Sequence, residues 1–325
     1  MKLCRRGFLR FVAGAAALPA APRIAWAQSY PSRAVRVIVG YPAGGAADII
    51  ARMIGQWLSD HLGQPFIVEN RPGAGSNIAT EAAAKAPADG YTLLLASTAN
   101  AINATLYQKL NFNFLDDITP VAGLARGPNV MVINPSVPAN TVPELIAYAK
   151  ANPGKISMAS AGNGSPQHVA GELFKMMTGI NLIHVPYRGG APALTDLLGG
   201  QVQVYFANVA SSIAYINSGR LRALAVTTAT RSEALPDIPA IGEYVPGYEA
   251  SSWYGLGAPK KTSEDIIAKL RNEISAAVAN PEMKKRFANS GFTGFGGSSA
   301  TFDRFVVEDT EKWHNVIRAA NIRAD

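Results

Sequence analysis

Cysteine is almost absent from this 325-residue chain, in which Cys4 is the one example. Because Cys4 lies in a segment that we expect to be removed on export, the remaining chain would hold no disulfide and no reactive thiolate. The chain also lacks a long apolar run. Its stretch at residues 11–18 is far shorter than the roughly 20 residues that a membrane-spanning helix needs. A transmembrane anchor is therefore not expected.

The excess of basic residues is largely confined to the beginning of the chain. The whole sequence has 30 Lys and Arg against 23 Asp and Glu, but five basic residues and no acidic ones lie within positions 1–27. Without them the balance is 25 against 23, a net charge of +2. A nucleic acid or an anionic membrane surface would require a concentrated basic face. The composition therefore predicts neither as a partner.

The amino-terminal segment has the features of an export signal. Arg5 and Arg6 resemble a twin-arginine signal, a short apolar run follows them, and the small residues Ala25 and Ala27 fit a cleavage site. An ordinary secretory signal that happens to contain two arginines is the alternative. Either route predicts cleavage after about Ala27 and a mature chain in the periplasm.

Strand-like and helix-like patterns alternate along the rest of the chain. Short apolar, β-branched runs alternate with longer segments whose apolar residues recur every three or four positions. Predicted strands cover residues 34–39, 91–96, 130–133, 155–160, 202–206 and 221–227, and predicted helices cover residues 46–61, 141–152, 165–178 and 262–279, with another amphipathic helix near the end. Thr262 and Asp265 have the spacing of a capping box. This order and length predict two α/β lobes.

Two glycine-rich turns join a predicted strand to a predicted helix, at residues 40–46 and 160–166. Ser165 is placed to cap the second helix and Pro166 to occupy its first position. The first amides of a helix have no partner within it, and glycine lets a ligand approach them closely. Two such ends can hold carboxylates. The alternative is that these glycines only form tight turns.

Other chemistries lack their motifs. Neither turn ends in the Lys and Ser or Thr of a phosphate-binding loop, and residues 73–78 lack the third glycine of a dinucleotide fingerprint, so no cofactor is predicted. The four histidines are scattered, without the spacing of metal ligands. Ser165 with His168 as its base is a candidate nucleophile, but no Gly-x-Ser-x-Gly elbow surrounds it. The sequence predicts neither a metal site nor an enzyme.

Six segments, taken in order, resemble the Bug-type periplasmic receptors of tripartite tricarboxylate transporters. They are Tyr-Pro-Ala-Gly-Gly at residues 41–45, Val-Glu-Asn-Arg-Pro-Gly-Ala-Gly at 68–75, Ala-Asp-Gly-Tyr-Thr at 88–92, Ser-Ala-Gly-Asn-Gly-Ser-Pro-Gln-His at 160–168, His-Val-Pro-Tyr-Arg-Gly-Gly at 184–190 and Ser-Trp-Tyr-Gly-Leu at 252–256. The resemblance implies a type II periplasmic binding protein fold, with two α/β lobes around a central ligand cleft. It implies a receptor that delivers a small carboxylate solute to membrane permease subunits, without catalysis.

The resemblance also implies ligand-binding residues from both lobes. Asp48 is expected to order the first turn rather than to touch an anion, and Arg188 is either a solute-binding cation or a solvated loop residue. The candidate ligand-binding residues are Pro42, Ala43, Gly44, Gly45, Asp48, Ser97, Thr98, Ser160, Ala161, Gly162, Ser165, Arg188 and Asn208.

Lobe one is expected to comprise residues 28–125 and 251–325, and lobe two residues 126–250. Two crossings between lobes would permit hinge closure over a solute, and a monomer is expected. Two alternatives remain open: a solute sensor for a signalling partner and a secreted hydrolase. The solute is left open among dicarboxylates, tricarboxylates and aromatic acids.

Three positions depart from the pattern of the family that the segments resemble. Gly40 stands where relatives usually have proline, Ser76 where they often have glycine, and Ala207 where many carry aspartate. If that aspartate meets an ammonium group or orders water in relatives, Ala207 argues against an amino-acid solute and favours an uncharged or anionic group at that corner.

Overall fold

The computed structural model describes residues 30–232, 235–295 and 299–324, so the predicted export signal at residues 1–27 lies outside the described residues. The strands are β1 (Val35–Val39), β2 (Phe66–Asn70), β3 (Thr92–Ser97), β4 (Ile118–Gly127), β5 (Asn129–Ile133), β6 (Ser157–Ser160), β7 (Ile183–Pro186), β8 (Val204–Asn208), β9 (Arg222–Val226), β10 (Ser252–Pro259) and β11 (Thr293–Gly294). The helices are α1 (Ala46–Leu62), α2 (Asn77–Ala84), α3 (Thr98–Leu106), α4 (Phe114–Asp117), α5 (Val142–Ala151), α6 (Pro166–Thr178), α7 (Gly190–Leu198), α8 (Val209–Asn217), α9 (Glu264–Ala279), α10 (Pro281–Asn289) and α11 (Ser299–Ala319). Within these ranges, none of the helices is both long enough and apolar enough to cross a membrane.

The strands form two mixed sheets, which confirms the predicted α/β class. The first sheet has the order β11-β4-β10-β3-β1-β2 and the second the order β7-β6-β8-β5-β9. In the first, β1 is parallel to β2 and β3, whereas β10 is antiparallel to β3 and β4. In the second, β6 is parallel to β7 and β8, whereas β5 is antiparallel to β8 and β9. The chain passes between the sheets at Pro128 and again between Val226 and Ser252.

Both faces of each sheet are covered because successive side chains of a strand point to opposite sides. Along β1, Val37 and Val39 pack in one cluster with α1 and α9, whereas Ile38 packs in another with α2, α3 and α11. Along β5, Met131 and its neighbour Val132 likewise belong to different clusters. The cluster that contains Ile38 also contains Met131, so one hydrophobic core is continuous between the two sheets.

Two predicted helix starts had different outcomes. Ser165 is the N-cap of α6, as predicted. Helix α9 begins at Glu264 with Ser263 at its N-cap, so the capping box predicted from Thr262 and Asp265 is wrong. The Thr262 hydroxyl instead donates to the Pro259 carbonyl at 2.7 Å, in the turn that follows β10.

Gly40 and Ser76 share one small space between the end of β1 and the start of α2. A Cβ atom built on Gly40 would lie 1.8 Å from the Ser76 Oγ and 2.7 Å from the Ser76 Cα. Ser76 has a left-handed backbone with a φ of 80°, and its buried hydroxyl has no hydrogen-bond partner among the described residues. Two of the three departures from the family pattern are therefore coupled, since the serine needs a residue without a side chain at position 40.

We expect Gly40→Ala to lower the free energy of unfolding by about 1–2 kcal/mol, because atoms added to a filled space force the neighbouring backbone apart. Adding Ser76→Gly should restore only part of that loss, since it removes the Oγ and Cβ that the new side chain meets first but leaves the Cα of residue 76 at 2.7 Å. Chemical denaturation of both single variants and the double variant measures the coupling free energy. Additive effects, without recovery in the double variant, would contradict the shared space.

Candidate functional site

Residues 42–45 form an exposed loop between β1 and α1. Gly44 has a φ of +81°, and a Cβ atom built there would meet nothing within 4 Å. Gly45 is the N-cap of α1 and offers no side chain to the first amides of the helix. Exposed backbone and a helix amino terminus therefore lie together, which is an arrangement suited to an anion.

Asp48 fixes this loop from the first turn of α1. Its carboxylate, 3% exposed, accepts hydrogen bonds from the Gly44 amide at 2.9 Å, from Arg52 at 2.9 Å and from the Asn70 side chain at 3.0 Å. Asn70 also donates to the Tyr41 carbonyl at 3.0 Å. The hydrogen bond from Arg52 is the largest influence and, against the opposing effect of burial, lowers the pKa of Asp48 to about 2. An ionised carboxylate with these partners orders the loop and is unsuited to touch an anion.

Ser97 and Thr98 lie at the same sheet edge, where β3 leads into α3. Ser97 is the N-cap of α3 and shares a capping box with Asn100, and its Oγ lies 3.2 Å from the Tyr41 hydroxyl. The Thr98 hydroxyl accepts a hydrogen bond from the Trp253 amide at 2.8 Å. Both side chains are buried. Ser97 is thus joined to the first loop through Tyr41, which sequence reasoning missed, whereas Thr98 is engaged with β10.

Residues 160–165 form the corresponding loop of the second sheet, between β6 and α6. Ser160 is buried, whereas Ala161, Gly162 and Ser165 are partly exposed. Gly162 has a φ of +126°, a conformation that favours glycine. The Ser165 hydroxyl accepts a hydrogen bond from the backbone amide of His168 at 3.3 Å. This hydroxyl therefore serves the helix that it begins, and the contact with His168 does not involve the imidazole ring.

Two histidine rings lie against this second loop. The Gly164 amide donates to Nδ1 of His168 at 3.0 Å, and Nε2 of His184 lies 2.6 Å from the Ser160 Oγ. Neither histidine was among the candidate ligand-binding residues, and the pair was not predicted because the two lie on different elements and no sequence pattern joins them. Across the described ranges, His, Asp and Glu side chains form no group of three that could hold a metal ion.

The turn after β7 packs on the same loop. The Tyr187 amide donates to the Ser160 carbonyl at 3.0 Å, and a Cβ atom built on Gly162 would lie 3.4 Å from the Tyr187 carbonyl oxygen. The next residue, Arg188, is exposed. The turn that carries Arg188 therefore contacts residues 160–162. These residues belong to the second sheet, whereas residues 42–45 follow a strand of the first sheet.

Asn208 ends β8 and caps α8, since its side chain accepts a hydrogen bond from the Ala210 amide at 3.0 Å. Its register partner is Asn129, at the first crossing between the sheets. The Asn129 side chain is fully buried, and neither its oxygen nor its nitrogen has a partner among the described residues. Sequence reasoning missed Asn129, because its sequence neighbourhood does not reveal burial. Ala207, the third departure from the family pattern, is buried in the core of the second sheet.

The two loops lie at adjoining sheet edges. Because β10 pairs with both β3 and β4, the ends of β3 and β4 lie at the same edge of the first sheet. In the second sheet, the end of β8 pairs with the beginning of β5. Since only Pro128 separates β4 from β5, these two edges are neighbours. The second loop also packs on α3, because a Cβ atom built on Gly164 would lie 2.0 Å from Cδ2 of Leu106, at the end of that helix remote from Ser97.

Comparison with known proteins identifies the family of the chain. The family model described as "Tripartite tricarboxylate transporter family receptor" matches residues 50–322. The chain belongs to this receptor family. Protein BugT of Bordetella pertussis is 38% identical to it over 295 residues, which cover 90% of each chain. The family resemblance seen in the sequence is thus confirmed.

Solved structures of similar proteins also support the receptor fold. An R. palustris protein determined with adipate is 36% identical, with a TM-score of 0.80, and the match covers 90% of this receptor and 99% of that chain. MatC from Rhodopseudomonas palustris, determined with bound malate, is 29% identical, with a TM-score of 0.75, and the match covers 89% of this receptor and 100% of that chain. The predicted two-lobed periplasmic binding protein fold is confirmed by these neighbours.

Proposed function

We propose that this receptor captures a small carboxylate solute between its two lobes and delivers it to the permease subunits of a tripartite tricarboxylate transporter. The observation that carries the proposal is the pair of loops at residues 42–45 and 160–165, at adjoining sheet edges. Each loop leads into a helix amino terminus, where backbone amides and the helix dipole favour a carboxylate. Adipate and malate, found with two solved relatives, belong to that class of solute.

The proposal includes a periplasmic location, supported by the family and by the amino-terminal sequence, with cleavage after about Ala27 by either export route. Lobe one comprises residues 28–125 and 251–325, and lobe two comprises residues 126–250. Rotation about the two crossings encloses the solute, with Arg188 and Asn208 beside the second loop. In this proposal the receptor acts as a monomer and performs no catalysis.

A thermal-shift screen tests this function with the purified protein. Ligands that bind the native state raise its apparent melting temperature by an amount that grows with the logarithm of their concentration relative to the dissociation constant. The screen compares monocarboxylates, dicarboxylates, tricarboxylates, aromatic acids, amino acids and neutral sugars, and ester hydrolysis is assayed in parallel. We expect stabilisation by one class of carboxylate, without ester turnover. Stabilisation by sugars alone, or turnover of an ester, would contradict the proposal.

We expect Gly44→Leu to weaken binding of the stabilising carboxylate at least about tenfold while the protein stays folded, because the side chain would cover the amides of the loop. The positive φ of Gly44 makes any side chain cost roughly 1 kcal/mol, but nothing collides with it. Calorimetric titration measures the affinity.

Gly63→Leu is the matched control for that variant. Gly63 has a φ of +72° and also has nothing within 4 Å of a built Cβ, but it lies at the opposite end of α1. Both variants should lose a similar amount of stability, and only Gly44→Leu should lose affinity. Equal affinity in the two variants would remove residues 42–45 from the site.

A further inference from the structure

Two stacked imidazoles hold the second loop at both ends. His184 contacts Ser160 at the start of the loop, at 2.6 Å, and His168 accepts the Gly164 amide near its end, at 3.0 Å. The ring centroids are 3.6 Å apart and the planes are inclined by 9°. A short loop fixed at both ends has little conformational freedom. The two rings therefore determine where the amides of residues 161–164 point.

The Gly164 contact specifies the protonation of His168. A backbone N–H can only donate, so Nδ1 of His168 must carry a lone pair and the proton of the neutral ring must sit on Nε2. That atom lies 3.6 Å from the Glu172 Oε1. If Nδ1 gains a proton, two donors face each other and the hydrogen bond to Gly164 is lost.

The His184 contact responds differently to a proton. The Ser160 hydroxyl also lies 3.1 Å from the Gly162 carbonyl oxygen, to which it can donate its single proton. His184 then donates to the Ser160 oxygen through Nε2, and a second proton on the ring leaves that donor in place. Of the two contacts, the one between His168 and Gly164 is therefore sensitive to protonation.

Some charged groups around the stacked rings favour a positive charge on His168 and others oppose it. Glu172, 7% exposed, is paired with Lys175 at 2.8 Å. Burial by itself would raise the pKa of Glu172, but the hydrogen-bonded Lys175 and the nearby His168 ring outweigh it and lower that pKa, so an anion lies near His168. Against this, Lys175 neutralises Glu172, and the stacked ring of His184 repels a second positive charge at a centroid distance of 3.6 Å.

Among the described elements packed against α6, helix α11 carries several charged residues. Helix α3 and strand β6 contain no titratable residue, and Tyr205 of β8 is neutral near pH 7 because burial raises its pKa. The Tyr248 hydroxyl donates to the Ala170 carbonyl of α6. On α11, Lys312 is paired with Glu249 and Asp309, Asp303 is paired with Arg271, and His314 contacts Thr105. The other charged residues of α11 are Arg304, Glu308, Glu311 and Arg318.

We propose that His168 is a positioning residue of the solute site, whose neutral ring holds the Gly164 amide and whose protonation releases the loop and weakens carboxylate binding. This inference rests on the proposed function, because residues 160–165 matter for affinity only if they bind the solute. The donor role of the Gly164 amide fixes the sign of the effect: an added proton on Nδ1 removes the acceptor, so affinity is expected to be lower in acid than in weak base.

The test combines a solute-free and a solute-bound measurement on the full chain. In nitrogen-15 NMR, the Gly164 amide should shift with pH together with the His168 ring. In calorimetric titration, the affinity for adipate or malate should fall about tenfold from pH 8 to pH 5.5, as expected for loss of one hydrogen bond in the site. His168→Asn places an amide oxygen where Nδ1 lies but carries no ionisable ring, so its Gly164 amide signal should stay constant with pH. Its affinity should fall less than that of the wild type, because only the onset of protonation of the dicarboxylate itself remains.

His61→Asn is the matched control, because His61 is an exposed histidine on α1 that stacks on Trp57, and its pH profile should match that of the wild type. A Gly164 amide signal that does not change with pH in the wild type would overturn the inference. So would an equal fall in affinity in the wild type and in His168→Asn. If neither adipate nor malate binds at any pH, the carboxylate assignment is weakened, and the NMR titration still decides the role of His168.

Discussion

Asp309→Ala is expected to lower the free energy of unfolding by about 3–5 kcal/mol. Asp309 of α11 is 3% exposed, and its Oδ2 accepts hydrogen bonds from the indole nitrogens of Trp253 at 2.7 Å and of Trp313 at 3.0 Å. Its Oδ1 lies 2.6 Å from Nζ of Lys312. The substitution leaves two buried N–H groups without a partner, each costing about 1–3 kcal/mol, and removes a counter-ion from Lys312.

This cluster also ties α11 to the second crossing between the sheets. Lys312 pairs with Glu249 at 3.1 Å as well as with Asp309. Glu249 lies before β10 and Trp253 lies within it. The cluster therefore contacts the chain both before and after the point where the chain returns to the first sheet. Loss of Asp309 should therefore loosen the crossing on which lobe closure depends in the proposed function.

Chemical denaturation measures the predicted loss. Asp309→Asn keeps one acceptor oxygen and should lose less stability than Asp309→Ala. Glu308→Ala, an exposed position on the same helix, should change stability by no more than about 0.5 kcal/mol. A loss below about 1 kcal/mol in Asp309→Ala would show that the indole groups find other partners and that the cluster contributes little.

The sequence predicted those parts of the fold that depend on local periodicity. A short β-branched run identified β1, and the helical spacing of apolar residues identified α1. The run in β1 is nearly continuous because Val37 and Ile38 face opposite sides of a sheet covered on both faces. Ser165 was identified as a cap because capping involves residues within one turn. The loops at residues 42–45 and 160–165 were located for the same reason, since each lies between a predicted strand and a predicted helix.

Features that depend on contacts distant in the sequence were not predictable. Thr262 and Ser263 are both chemically able to cap α9, and the choice was made by the Pro259 carbonyl, which accepts the Thr262 hydroxyl. His168 and His184 meet only because β6 and β7 pair side by side. The candidate Thr98 sits where expected, but its hydroxyl is engaged by Trp253, 155 residues later in the chain.

Asp48→Asn is expected to lower the free energy of unfolding by up to about 2.5 kcal/mol at pH 7. The pKa of Asp48 is lowered from 3.8 to about 2, and each pKa unit corresponds to about 1.36 kcal/mol. Because the Arg52 side chain is 54% exposed, solvent screening makes this an upper value. The native state binds a proton at this carboxylate less readily than the unfolded state does. The stabilisation is therefore complete above about pH 4 and is lost as the pH falls towards 2.

The difference in stability between the wild type and Asp48→Asn should accordingly be largest at pH 5–7 and should shrink below about pH 4. Asp60→Asn replaces an exposed carboxylate on the same helix. It is the control, and its stability should differ little from that of the wild type in both pH ranges.

The affinity of Asp48→Asn for the solute distinguishes two roles for Asp48. If Asp48 orders the loop through the Gly44 amide, the variant binds a carboxylate more weakly, because the loop is released. If its charge mainly repels the solute, the variant binds more tightly. Because the Asp48 oxygens already accept hydrogen bonds from Gly44, Arg52 and Asn70, we expect weaker binding.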